Sequence, residues 1–279
     1  MQVERMNRVE LLLPGADVVD AVRVFNEVLG GHLTEPEDLP EVRIRTSVDY
    51  TLGIEVYGPI DDDSPIADVF DTKSRRGSIG PLVWEVADLD AARKDAEAQG
   101  FRVVDEFGEP GVRQQHLDAE QLFGFGVTFT ERSSEGTSPP STRVRNFQRV
   151  ELLVGGDEIE AARDTFTTLL GASFSELRHL QPHDILTTTD DGRVGIELLA
   201  PASEKSSVHA QLQARGRGGI GPLVWFVDDL DAVREEVVGL GYRVQFEYGE
   251  PGSRQVHLDP EQLYGFGVTF TERRPGEHL

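Results

Sequence analysis

The chain has 279 residues, enough for two domains of ordinary size, each with its own core. Its 27 Lys and Arg against 50 Asp and Glu leave a net charge of −23, which argues against nucleic acid or an anionic membrane as partner and suits solubility or the steering of a cationic ligand. Cysteine is absent, so thiol catalysis, disulfides and cysteine-bound zinc are excluded. The N-terminus has no apolar signal core and no run nears the ~18 apolar residues of a spanning helix, so a cytoplasmic location is expected.

In chain order, the apolar run from Val9 to Leu13 predicts a strand. Asp17 stands where it would cap a helix whose apolar positions, Val18, Ala21, Val22, Phe25, Val28 and Leu29, follow helical spacing up to Gly30 and Gly31. Strands are expected near His32–Thr34, Val42–Val48 and Leu52–Tyr57. The order then repeats: a strand over Leu82–Val86, a helix capped by Asp88 and stopped by Gly100, and strands near Phe101–Val104, Arg113–Leu117 and Val127–Thr130. Ser133 to Ser141 is rich in Ser, Pro and Gly, as a linker is. Beyond it come helices from Glu158 to Leu170, closed by Gly171, and from Asp229 to Leu240, closed by Gly241.

The two halves also share text. Gly80-Pro81-Leu82-Val83-Trp84 returns as Gly221 to Trp225, Gly108-Glu109-Pro110-Gly111 as Gly249 to Gly252, and Gly124 to Arg132 as Gly265 to Arg273, all at an offset of 141. A period this long makes each copy a domain rather than a solenoid repeat. The expected organisation is 1–132 as domain one, 133–144 as linker, 145–273 as domain two and 274–279 as a tail. Each domain reads as βαβββ-βαβββ, so the fold class is α+β with four βαβββ modules. The first modules share little beyond Arg8 to Leu12 with Arg149 to Leu153, and Gly53-Ile54-Glu55 with Gly195-Ile196-Glu197.

Val24 to Gly30, Pro81 to Ala92 and Gly124 to Phe129 in this arrangement resemble the vicinal oxygen chelate superfamily, which holds glyoxalase I, methylmalonyl-CoA epimerase, extradiol dioxygenases, fosfomycin-resistance enzymes and bleomycin-binding proteins. The resemblance implies two glyoxalase-like domains with cupped mixed sheets, a small-molecule ligand or substrate, and a monomeric pseudo-dimer or a homodimer. It also implies a divalent metal held from the first, fourth, fifth and eighth strands of each domain. Those positions are Glu10 and Glu151, Glu55 and Glu197, Pro81 and Pro222, and Thr128 and Thr269. Proline has no ligand atom and a threonine hydroxyl is a weak donor, so the family's metal site is not expected. Glu10 with Glu55, or Glu151 with Glu197, could still hold Mg²⁺ through several waters.

With the metal set aside, each pair of glutamates becomes a candidate acid/base pair, because two neighbouring carboxylates cannot both ionise freely. The competing expectation is a buried ion pair with Arg8 or Arg43, and Arg8 shares the inward face with Glu10 by strand alternation. His116 and His257 are candidate proton shuttles. Arg8, Arg149, Glu85, Gln115, Thr128 and Thr269 are candidate substrate contacts, and Gln114 and Gln255 offer amides to a ligand or a sheet edge. Glu85 faces inward where domain two has Phe226, so one cup should be more polar; Trp84 and Trp225 should face the helices. The first expectation is proton-transfer chemistry of isomerase, epimerase or lyase type. The alternatives are a ligand-sequestering protein of the bleomycin-resistance type, and a metal-dependent dioxygenase or lyase with atypical ligands such as His116 or His257.

Overall fold

A computed structural model describes residues 3–67, 77–133, 137–190, 192–215, 218–249 and 251–272. Linker residues Ser134, Glu135 and Gly136, turn residue Glu250, Arg273 and the 274–279 tail lie outside them. The first half runs β1 (Arg5–Leu12), α1 (Val18–Leu29), β2 (Glu37–Leu39), β3 (Ile44–Asp49), β4 (Ile54–Pro59), β5 (Ser78–Glu85), α2 (Leu89–Ala98), β6 (Val103–Phe107), β7 (Gln114–Leu117) and β8 (Val127–Thr130). The second half runs β9 (Asn146–Leu153), α3 (Ile159–Leu170), β10 (Arg178–Leu180), β11 (Ile185–Asp190), β12 (Ile196–Pro201), α4 (His209–Arg215), β13 (Gly219–Phe226), α5 (Leu230–Gly239), β14 (Val244–Tyr248), β15 (Gln255–Leu258) and β16 (Val268–Thr271).

Each half closes into one eight-stranded mixed sheet, in the order β2-β3-β4-β1-β5-β8-β7-β6 and its counterpart β10-β11-β12-β9-β13-β16-β15-β14. Four βαβββ modules thus build two cupped sheets, an α+β fold. The curl is strong. Arg8 on β1 reaches Gln114 on β7 at 3.4 Å although β5 and β8 lie between them in the sheet. At the mouth of the second cup, His183 and Tyr248 approach from opposite edges to 6.5 Å between ring centroids.

Most differences from the expected elements have local causes. Asp88 and Asp229 cap α2 and α5 by accepting from Ala91 N–H and Ala232 N–H. Asp17 makes no such side-chain bond, and α1 is entered from a 3₁₀ turn over Gly15–Asp17. No strand forms at His32–Thr34, because the Asp49 and Asn26 side chains take the backbone N–H groups of His32 and Leu33; the edge strand is β2 instead. The strand expected from Phe101 starts at Val103, since Phe101 N–H closes the end of α2 on Ala96 O. Seven-residue α4 is too short to show helical periodicity and was not expected. Among the described residues no helix is long and apolar enough to cross a membrane.

Alternation assigns the two faces of each sheet. Val9, Leu11, Ile54, Val56, Leu82, Val127 and Phe129 join the helices in a core that continues across both halves. Trp84 and Trp225 also face this core, as expected, and each crosses to the other half. Trp84 Nε1–H donates to Val194 O at 2.9 Å and Trp225 Nε1–H to Leu52 O at 2.8 Å. Trp84→Phe should therefore lower unfolding free energy by about 1–3 kcal/mol, because the Val194 carbonyl is left buried without that donor. Urea titration will check this, and a loss below the detection limit would mean that the inter-half bond contributes nothing.

Candidate functional site

In the first cup the chemistry centres on Arg8, which is 3% exposed. Parallel pairing of β1 with β4 sets Glu10 directly beside Glu55, and Arg8 projects from the same face. Its Nε donates to Glu55 Oε2 at 2.5 Å, and its Nη2 donates to Glu10 Oε1 at 2.9 Å and to Gln114 Oε1 at 3.4 Å. Nη1 donates to Asn7 Oδ1 at 3.0 Å, and Thr46 Oγ1 donates to Glu55 Oε1 at 2.6 Å. The expected buried ion pair is therefore real, but it is one guanidinium serving two carboxylates. Arg43, the other partner considered from the sequence, pairs with Asp61 and Asp63 on the surface.

One positive charge cannot neutralise both. Burial pushes the Glu10 carboxyl up to about 7, Arg8 opposes the shift, and Glu55 adds to it. Tyr57 hydrogen-bonds Glu10, and burial raises its own phenol above the usual range. Room for that hydroxyl comes from a bulge: β1 residues Val9 and Leu11 pair with Leu82 and Ile79, leaving Gly80 and Pro81 together opposite Glu10. A Cβ at Gly80 would lie 2.7 Å from the Tyr57 hydroxyl, so a larger residue there would displace the Tyr57 side chain.

On the facing wall, His116 pairs across β7 and β8 with Thr128, and its Nδ1 is 2.7 Å from Thr128 Oγ1. Asp105 is its cross-strand neighbour on β6, and Phe107 stacks on the ring at 5.1 Å. Burial lowers the His116 pKa, Asp105 opposes the shift and Arg8 adds to it, so the ring is neutral near pH 7.

The second cup keeps the framework and changes the tuning. Glu151 pairs with Glu197, Arg149 is fully buried, and Arg149 Nε donates to Glu197 Oε2 at 2.6 Å. Arg149 Nη1 also bonds Gln148, and Thr187 donates to Glu197 at 2.9 Å. His257 Nδ1 lies 2.8 Å from Thr269 Oγ1. Leu199 replaces Tyr57 beside the carboxylates, and Phe246 replaces Asp105 opposite the histidine, stacking on it at 4.2 Å. Burial first, then Arg149, drives the His257 pKa down to about 3 against the pull of Glu197.

The structure places Glu10, Glu55, Glu151, Glu197, Arg8, Arg149, His116, His257, Thr128 and Thr269 on the inward faces of the cups. Gln115 does not belong there: it pairs with core residue Phe129 and donates to Glu106 at 3.0 Å on the helix-side face. Gln114 is the residue that turns inward. Glu85, on the inward face as expected, is bound by Arg5 at 3.2 Å at the end of β5. Tyr57, Asp105 and Phe246 were missed. Tyr57 was readable in principle, two residues beyond Glu55 on the same strand face.

Among the described residues no three His, Asp or Glu side chains gather as a metal-ligand set. The donors also argue against the family's divalent ion. Arg8 and Arg149 already stand against the carboxylates that would bind it, Pro81 and Pro222 supply nothing, and Thr128 and Thr269 are used by histidines. The residues present in the usual positions do not fit that ion. A separate cavity of about 540 Å³ opens between the halves where β5 and β13 begin; its lining is largely glycine with Ile79, Phe125, Ile220 and Phe266 and holds no ionisable side chain.

Comparison with known proteins places this geometry. The chain is 32% identical over 113 residues to an ethylmalonyl-CoA/methylmalonyl-CoA epimerase from Cereibacter sphaeroides, a match spanning 39% of this chain and 81% of that protein. A mutant of 4-hydroxymandelate synthase from Streptomyces coelicolor superposes with a TM-score of 0.75 at 11% identity, covering 100% of this chain and 95% of that one. BphC, a halotolerant catechol dioxygenase, superposes with a TM-score of 0.62 at 13% identity, covering 97% of this chain and 87% of that one. These two structural likenesses establish the shared fold. No family model matches the chain. With an epimerase relative, two-domain neighbours of the same fold and four βαβββ modules, the chain belongs to the vicinal oxygen chelate superfamily as a tandem two-domain member.

Proposed function

We propose that the protein is a small-molecule enzyme that moves a proton on a carbon acid, in the manner of an epimerase or isomerase, and that the first cup is its working site. The observation that carries this reading is the sharing of Arg8 between Glu10 and Glu55, which leaves Glu10 able to hold or release a proton near neutrality. His116, kept neutral on the facing wall, is the natural second carrier. The epimerase relative supports the reaction class.

In this scheme the substrate carbon sits between the two walls. His116 takes the proton, the C–H electron pair passes into the adjacent carbonyl as an enolate, and Glu10 returns a proton to the opposite face. No oxidant or reductant is needed. The reverse direction uses the same pair with the roles exchanged. Arg8 fixes Glu10 and Glu55 in place, and its charge favours the enolate over the neutral ground state.

The test is exchange of the substrate α-proton in deuterium oxide, followed by mass spectrometry, over a panel of carbon acids headed by methylmalonyl-CoA. Enzyme-dependent exchange that is lost in Glu10→Gln and Glu55→Gln is the expected result. Exchange that persists in both variants, or its absence across the panel, would overturn the assignment.

A further inference from the structure

Among the described residues, the second cup contains something the first does not: buried polar atoms with no hydrogen-bond partner. Gln255 is 2% exposed and His257 is 5% exposed, and neither Gln255 Oε1 nor His257 Nε2 has a hydrogen-bond partner. They stand two residues apart on β15 and therefore face the same way. That way is into the cup, because His257 feels the charges of Arg149 and Glu197 on its inner wall. In the first cup the counterpart Gln114 accepts from Arg8, and His116 is only half-buried beside Asp105. Buried polar atoms normally find partners, so these two call for one from outside the protein, a water or a bound molecule.

The site's chemistry defines that molecule. Thr269 Oγ1 is fully buried, and its bond is to His257 Nδ1. If the hydroxyl accepted there, its own proton would be left without an acceptor. With Thr269 donating to Nδ1, the hydroxyl proton is used and the ring proton of neutral His257 sits on Nε2, where a bound molecule can accept it. The strand face then offers one donor, Nε2–H, and one acceptor, Gln255 Oε1. Nearby, Leu199 pairs with Leu153 where the first cup has Tyr57, and these lead into an apolar cluster with Ile185, Val208 and Leu212. Phe246 and Tyr248 stack over His257 at 4.2 and 5.2 Å. The Arg149 charge opposes a cation at Nε2, Glu197 opposes an anion, and burial opposes both.

We propose that the second cup is a recognition site for an uncharged small molecule that carries a carbonyl acceptor and a hydroxyl or amide donor a few bonds apart, on a short apolar skeleton. The carbonyl accepts from His257 Nε2, the donor group binds Gln255 Oε1, and the apolar part lies against Leu199. This inference does not rest on the proton-transfer reading of the first cup, because its readout is binding and not turnover.

Lactamide, which has both groups and no charge, is the probe. Ring-nitrogen NMR spectra of histidine-labelled protein, with His257 assigned by its loss in His257→Gln, report on Nε2 directly. Lactamide should move the Nε2 resonance saturably. Lactate, anionic on the same skeleton, should bind at least tenfold more weakly, and so should lactamide to Gln255→Leu. Gln255→Leu without probe should keep or raise the thermal midpoint, because it removes an acceptor buried without a partner. The proposal fails if lactamide gives no saturable shift, if lactate binds equally well, or if Gln255→Leu lowers the midpoint by several degrees, which would show that the protein already uses this acceptor.

Discussion

Glu10→Gln will lower α-proton exchange by about 10²–10⁴-fold, the usual contribution of a positioned acid or base, and will reshape the pH profile. Wild-type exchange should follow a bell. Its acidic limb reflects protonation of His116, below the ordinary histidine value because burial opposes the charged ring. Its alkaline limb lies near 7, where Glu10 loses its proton. The two groups interact through Arg8, so the limbs belong to the pair. Glutamine cannot titrate, and the alkaline limb should vanish with the rate. An unchanged alkaline limb in the variant would assign that limb to another group and remove Glu10 from the mechanism.

The same substitution has a stability readout that needs no substrate. Glu10 holds its proton to about 7 in the fold and to about 4.5 when unfolded. Between those values the native state binds more protons than the unfolded state, so stability falls as pH rises through that window. The total is on the order of 3 kcal/mol at full effect. His257 acts oppositely: neutral in the fold down to about 3 and ordinary when unfolded, it contributes stability above about 6.5 that is lost as pH falls. The two slopes oppose each other between about 4.5 and 6.5. Glu10→Gln should uncover the His257 slope there, as a steeper loss of stability on acidification, measurable by urea titration at several pH values. A profile parallel to wild type would refute the raised Glu10 value.

Arg149→Met should be the most damaging single change to the fold, costing about 3–5 kcal/mol, as expected when one partner of a buried ion pair is removed. Its guanidinium is fully buried, bonds Glu197 at 2.6 Å, and stands beside Glu151 on the neighbouring strand position. Methionine fills much of the volume but removes the Arg149 charge from beside two adjacent carboxylates. One of them must then take up a proton in the fold, so the deficit should shrink as pH is lowered toward about 5. Adding Glu197→Gln to Arg149→Met should recover much of the loss, because it removes an uncompensated charge and keeps the Thr187 contact geometry. A loss under about 1 kcal/mol in the single variant, or no recovery in the double, would show that the pair is solvated in the native state.

Much of this protein was determined by short-range rules that its sequence displays openly. The repeat at an offset of 141 is visible as text, and the glycines that close α1 and α3 in left-handed backbone, the Asp88 and Asp229 caps and the apolar alternation of β1 and β4 each depend on neighbours a few residues apart. They were sufficient for four βαβββ modules and for placing Arg8 and Glu10 on one face, while Glu55 was set beside them by the resemblance to the vicinal oxygen chelate superfamily. The same rules misplaced β2, where distant side chains take the backbone N–H groups, and could not orient Gln115, whose strand is short and mostly buried. Only the tertiary structure decided how the cups differ. The curl that brings β1 against β7 lets Arg8 occupy Gln114 in one cup, while among the described residues Gln255 Oε1 and His257 Nε2 have no partner in the other. Tyr57 against Leu199 and Asp105 against Phe246 become meaningful only when their cross-strand neighbours are known. Partnering, burial and proton affinity depend on groups far apart in the chain, and so the division between the cups was settled by packing and not by pattern.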